Sequence, residues 1–117
     1  TVSFYGAEKV VEHYNVMGPV KAALEASVRY LAHELGRSGI RVNAISAGPV
    51  RTRAASGIAH FDELLEDAVR RSPQRRVIDA CEVGRVALML ASSFASAITG
   101  EVIHVDGGLH VEGMVFH

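Results

Sequence analysis

The stretch PVKAALEASVRYLAHELGRSGIRVNAISAGP, residues 19–49, decides the fold. In its first half Val20, Leu24, Ser27/Val28, Leu31 and Leu35 recur at three- and four-residue spacing, while Glu25, Arg29 and His33 fall off that stripe. This is the spacing of an amphipathic helix with one face turned inward. Pro19 suits a first turn, where its missing N–H has no intrahelical partner to lose, so the regular helix is predicted to start near it. Gly36 and Gly39 supply the stop. Arg41–Ile45 then reads as a short strand, terminated by Ser46-Ala47-Gly48-Pro49. A long helix, a short loop and a buried strand form the αβ unit from which parallel sheets are built.

Working outward, residues 1–5 read as the tail of a strand, followed by a loop through Gly6. The chain opens on this apolar stretch without an initiator methionine, and it reads as one whose beginning is missing. Residues 50–60 are rich in small side chains and look irregular. Phe61, Leu64, Leu65 and Ala68 return to helical spacing, ended by Ser72-Pro73. Ala80 to Ala91 is a further amphipathic helix, with Val83, Val86, Ala87 and Leu90 inward and Asp79 as N-cap. Glu101–Val105 is a final strand, entered from Gly100 and closed by Asp106-Gly107-Gly108. The order β-α-β-α-α-β predicts an α/β fold, the C-terminal half of a doubly wound, Rossmann-type parallel sheet.

The 117 residues suffice for one small unit. Hydrophobic residues make up 49% and charged ones 21%, which suits a packed core and not a disordered tail. Twelve basic against thirteen acidic side chains leave a net charge of −1, so no field of one sign is available to hold nucleic acid or an anionic membrane. No apolar run approaches the roughly 20 residues of a membrane span, and no signal peptide is seen. Cys81 is the single cysteine, so no internal disulfide forms, which fits a cytoplasmic setting. It is read as a small buried hydrophobe.

Tyr14 and Lys21 are the candidate chemical pair. Seven helical positions are about 700° of rotation, within roughly 20° of two turns, and about 10 Å of rise. If the segment is helical throughout, both side chains share a side, with Gly18 between them leaving room for a planar ligand. A phenol donates a hydrogen bond to a carbonyl gaining negative charge, and a nearby ammonium favours that electron-rich state. Taken as a bare pair, the two residues fit a structural role better.

Their context narrows the choice. Tyr14-Asn15-Val16-Met17-Gly18-Pro19-Val20-Lys21-Ala22-Ala23-Leu24-Glu25, followed by Gly39-Ile40-Arg41-Val42-Asn43-Ala44-Ile45-Ser46-Ala47-Gly48-Pro49, resembles the short-chain dehydrogenase/reductase superfamily. Six residues between the tyrosine and the lysine, and the Tyr-Asn-Val-Met-Gly string, resemble its NADH-dependent enoyl-[acyl-carrier-protein] reductase branch. The likeness continues to Gly100-Glu101 and Val105-Asp106-Gly107-Gly108.

The resemblance implies reduction of trans-2-enoyl thioesters on acyl carrier protein, in fatty acid biosynthesis, with NADH as hydride donor. It makes Tyr14 and Lys21 catalytic, with Lys21 on the nicotinamide ribose. Gly48, Pro49, Val50, Thr52 and Ala54 would lie against the cofactor, and Phe4, Tyr14, Ala54, Ala55, Ile58 and Phe61 against the acyl substrate. Relatives carry a second active-site tyrosine where this chain has Phe4. Tyr5 is not expected to replace it, because a one-residue shift along a strand turns a side chain to the other face. The resemblance further implies a homo-oligomer, a tetramer, and a dinucleotide-binding N-terminal half outside residues 1–117, without which the segment is expected to bind NADH poorly. Another short-chain reductase, such as a 3-oxoacyl-carrier-protein reductase, or an inactive truncated assembly fragment remain as alternatives.

Three further features bear on the chemistry. Tyr5 and Lys9 have the shorter spacing of the wider superfamily, but Lys9 lies too early for the helix that starts near residue 19. Six histidines form no HExxH and no paired short-spaced set, so metal ligation is not expected. Arg70-Arg71 and Arg75-Arg76 read as a solvated basic cluster or, less simply, a dock for an acidic carrier protein, with Asp62, Glu63, Glu66 and Asp67 as opposing charge.

Overall fold

The computed structural model describes residues 1–116. Three parallel strands, β1 (Val2–Ser3), β2 (Ala44–Ala47) and β3 (Val102–Val105), form one sheet in that order. Val2 is level with Ile45, and Ala44 with Val102. Three helices connect them: α1 (Met17–Gly36), α2 (Phe61–Arg71) and α3 (Ala80–Ala91). The element order and the parallel sheet are those expected, and no helix among the described residues is long and apolar enough to cross a membrane.

α3 has the expected bounds because its start signal is local. Asp79 accepts from Cys81 N–H at 2.8 Å, and Glu82 reaches back to accept from Asp79 N–H at 2.9 Å. Together they make a capping box. Elsewhere tertiary contacts shift the boundaries. The strand expected at Arg41–Ile45 begins at Ala44, because the preceding residues bond to the loop that enters β3. Arg41 donates to the carbonyls of Leu90 and Ile98, and Val42 N–H to Thr99 Oγ1. Asn43 accepts from Glu101 N–H. The first strand is shorter than the reading of residues 1–5, since Tyr5–Ala7 is a 3-10 turn.

The buried stripe of α1 also differs from the apolar periodicity. Glu25, Val28 and Ala32 are buried, whereas Val20 and Leu31 remain about half exposed. Glu25 belongs inside because its carboxylate accepts the Ser3 hydroxyl at 2.6 Å, tying α1 to β1. A buried charge is tolerated where it is hydrogen-bonded. Cys81 lies exposed on the first turn of α3 and is not the buried hydrophobe expected.

β2 is covered on both edges, while β1 has a free one. Ile45 N–H bonds to Thr1 C=O, so residues flanking Val2 face β2 and Val2 turns its own backbone groups to the open edge. On the opposite flank Leu109, following β3, is fully buried against Tyr5 and Ala68 of α2, with Phe4 and Val11 packed alongside.

Candidate active site

Tyr14 is not on the helix that carries Lys21. α1 starts at Met17, and the segment before it turns through positive φ at His13 (67°) and Asn15 (55°). The expected two-turn relation therefore does not hold. Two tertiary contacts fix Tyr14 instead. A Cβ added to Gly6 would stand 2.8 Å from the Tyr14 ring, so only glycine leaves the ring its place. Phe4 meets the other part of the ring edge-on, with centroids 5.1 Å apart and planes at 65°. Gly18, expected to make room for a ligand, makes room for Gly6 C=O, which a Cβ would approach to 3.2 Å.

The Tyr14 side chain is buried, yet it forms part of the wall of a cavity of about 450 Å³. Val11 and Ile58 line the same space, with Tyr5 and Leu64 deeper in and His13 and His60 along it. The two imidazoles stack, centroids 4.2 Å apart, and so bridge the Tyr14 segment to the 52–60 loop. His60 is held in turn by Glu63 at 3.0 Å. Burial pushes the Tyr14 pKa up, and no charged neighbour contributes. The phenol therefore stays protonated at neutral pH, a donor and not a phenolate.

Lys21 takes a different position from the one expected. Its Nζ donates to Val2 C=O at 3.0 Å, over the open edge of β1. It lies among no groups that shift Tyr14, so here its charge does not tune the phenol. An ammonium has three N–H donors, and this bond engages one of them.

The other expected site residues divide into groups. Ile58 joins Tyr14 at the cavity, and Phe4 supports Tyr14 from the side. Phe61 lines a neighbouring hollow with Thr52 and Ile58. Gly48 and Pro49 are buried at the carboxyl end of β2, where Gly48 allows Asp106 to approach within 3.0 Å of an added Cβ. Val50 faces a separate hollow with Leu65 and Ile78. Thr52 uses its hydroxyl locally, accepting from Ala55 N–H at 3.1 Å. Ala54 is exposed and Ala55 buried in the turn that follows.

Tyr5 and Lys9 are not a second pair. Lys9 donates to His110 C=O. Tyr5 is buried beside Arg71, which opposes the larger upward push of burial on its pKa. Its burial follows from the 3-10 turn at Tyr5–Ala7, so strand alternation does not govern how it stands relative to Phe4.

The basic cluster is paired in part with acidic neighbours, while Arg75 donates to the Arg70 carbonyl. Asp67 bonds both Arg70 (2.7 Å) and Arg71 (3.0 Å), and Arg76 bonds both oxygens of Glu82.

Sequence reasoning missed Gly6, Val11, His13 and Leu64. A glycine in a turn and small apolar residues carry little signal until the chain closes on itself. The histidines did carry one: His104, Asp106 and His110 form a His-x-Asp-x3-His spacing, and the structure brings them together.

Comparison with known proteins shows the family to which the chain belongs. The family described as Enoyl-(Acyl carrier protein) reductase matches residues 1–110. Enoyl-[acyl-carrier-protein] reductase [NADH] 1 of Rhizobium meliloti is 59% identical over 114 residues, 97% of this chain but 42% of that protein. The crystal structure of the NADH enoyl-[acyl-carrier-protein] reductase of Aquifex aeolicus superposes with a TM-score of 0.95 at 54% identity, covering 98% of this chain and 44% of that one. That of the Anaplasma phagocytophilum reductase, in complex with NAD, gives 0.89 at 55% identity, over 97% and 41%. The chain thus spans less than half the length of the relatives it matches, and its sheet is part of their Rossmann-type fold. It belongs to the enoyl-[acyl-carrier-protein] reductase family.

Proposed function

We propose that residues 1–117 form the C-terminal, substrate-facing half of a single Rossmann-type domain that reduces trans-2-enoyl thioesters on acyl carrier protein with NADH, for fatty acid biosynthesis. The observation that carries this reading is the Tyr14 phenol, clamped between Gly6 and Phe4 in the wall of the cavity with Ile58. The family match and the NADH-named relatives support the choice of reaction.

When bound, NADH supplies the hydride that adds to the β-carbon of the enoyl group. Tyr14 donates a hydrogen bond to the thioester oxygen as negative charge gathers there, before the α-carbon is protonated. A donor fixed in advance of reaction stabilises that charge without reorganising, and exclusion of water strengthens the effect. Lys21 binds the nicotinamide ribose hydroxyls through the N–H groups that Val2 leaves free. This fits its position at the open β1 edge, where an adjoining strand would compete for the Val2 carbonyl. Gly48, Pro49, Val50, Thr52 and Ala54 face the cofactor from the carboxyl end of β2, where open α/β sheets take ligands. Ala54, Ala55, Ile58 and Phe61 cover the acyl chain. Phe4 keeps a ring against Tyr14 and contributes no hydroxyl.

The complete protein is proposed to be a cytoplasmic homotetramer. Exposed Tyr30, Leu88 and Phe94 offer apolar surface for subunit contacts or for the remainder of the domain. The reaction class is tested by assaying the complete protein with crotonyl and acetoacetyl thioesters, each with NADH and with NADPH. Rapid NADH-dependent crotonyl reduction is expected. Preference for the acetoacetyl thioester would make it a ketoreductase instead.

A further inference from the structure

Where β3 ends, Asp106 is buried, its side chain only 3% exposed. Gly108 N–H and His110 N–H each donate to it, at 3.0 and 3.1 Å. Those bonds shape the turn but carry no full charge, and among the described residues no lysine or arginine pairs with this carboxylate. The ring nitrogens that face it belong to two imidazoles, and Tyr5 lies near enough to feel its charge. His110 Nδ1 is 3.0 Å from both carboxylate oxygens, and His104 Nδ1 is 3.9 Å from one of them. The rings stack at 3.7 Å and 10°, so both Nδ1 atoms lie toward the same carboxylate. His104 Nδ1 is itself buried and has no hydrogen-bond partner among the described residues. A buried carboxylate paired with no lysine or arginine, next to a buried imidazole nitrogen without a hydrogen-bond partner among the described residues, is an arrangement that a metal cation would complete.

We propose that His104, Asp106 and His110 bind a divalent transition metal of the Zn²⁺ type, through the two Nδ1 atoms and one carboxylate oxygen, with solvent completing the shell. One ligand atom from each residue lies within 4.8 Å of the others. Around a tetrahedral ion with bonds of about 2.0–2.2 Å, ligand atoms stand roughly 3.3 Å apart, and the Nδ1-to-oxygen separations of 3.0 and 3.9 Å bracket that value. Because each Nδ1 lone pair lies in its ring plane, ligation requires the near-parallel rings to splay until both planes converge on the ion. Two imidazoles and one carboxylate favour Zn²⁺ or Co²⁺ over Mg²⁺ or Ca²⁺, which take oxygen ligands. Imidazole and carboxylate ligands must be deprotonated to hold the ion, so uptake weakens in acid. The ion is structural. It pins the Leu109–Val111 turn to the end of β3, and Leu109 supports Tyr5 in the cavity wall. This inference does not depend on the reaction proposed above.

The test is a Co²⁺ titration of the complete, tag-free protein after chelator treatment, followed by visible absorption. One Co²⁺ per chain is expected, with the intense band of a four-coordinate ion, displaced by Zn²⁺ and weaker in mild acid. His110→Phe keeps a ring on the stack but removes a ligand, and it should weaken uptake by at least the roughly 10–100-fold that outer-shell changes cost. If that variant fails to fold, His110→Asn keeps a hydrogen-bonding side chain beside Asp106 and serves the same comparison. His13→Ala/His60→Ala removes the other stacked pair and should leave the band unchanged. No saturable band, or uptake equal in parent and His110 variants, would overturn the proposal.

Discussion

The wall around Tyr14 and the sheet edge around Lys21 lie close in sequence but are built in opposite ways. Tyr14 is enclosed by this chain alone: Gly6 on one side, Phe4 on another, and the stacked His13 and His60 tying its segment to the 52–60 loop. Lys21 rests on a single carbonyl at a strand edge with no neighbour. The difference teaches that a phenol's position can be set by local packing, whereas a lysine resting on one edge carbonyl keeps its other donors for a further partner. In the proposed reaction this divides the site between a self-contained substrate side and a cofactor side awaiting the rest of the sheet.

The sharpest way to break that division is a pair of substitutions in the complete enzyme. Tyr14→Phe should lower kcat by about 10²–10³-fold, the usual cost of losing one donor to a developing oxyanion, with NADH affinity little changed. Lys21→Met should instead weaken NADH binding, seen as a higher KM for NADH. Matching phenotypes would mean that the two residues act as one unit. Gly6→Ala should have a smaller effect of the same kind as Tyr14→Phe. The new methyl would press on the Tyr14 ring at 2.8 Å and move the hydroxyl. Its kcat should fall while KM for NADH holds, and an unchanged kcat would show that Tyr14 needs no such cradle.

The smallest effect is expected far from the cavity. Arg76 and the Asp79 amide hold the Glu82 carboxyl at a pKa of about 2, below its ordinary 4.5. A depressed carboxylate contributes stability above its unfolded pKa and loses it as pH falls through the folded one. Glu82→Gln should therefore lower Tm slightly at neutral pH. The gap to the parent should shrink as pH drops from 4.5 towards 2, while the kinetics of the Tyr14 side stay the same.

The same contrast explains what could be read from the sequence. The αβ unit at residues 19–49 and the bounds of α3 were legible, because helix periodicity and the Asp79–Glu82 box are local signals. The placement of Tyr14 was not. A helical projection from Lys21 assumes continuous helix, and the positive φ values at His13 and Asn15 accompany packing of Tyr14 against Gly6, a contact invisible in any periodicity. Glu25 was misplaced for a similar reason, since its partner Ser3 lies on another element. Tyr14 and Ile58 were singled out together only through family likeness. His104, Asp106 and His110 had a readable spacing that a search for familiar zinc motifs passed over.

The division of the site is tested most directly by titrating NADH into residues 1–117 alone, by calorimetry, beside the complete protein. Saturable binding is expected in the complete protein, and in the isolated segment none that approaches it. Sub-micromolar affinity in the segment would contradict the division, because the cofactor side would then be as self-contained as the wall around Tyr14.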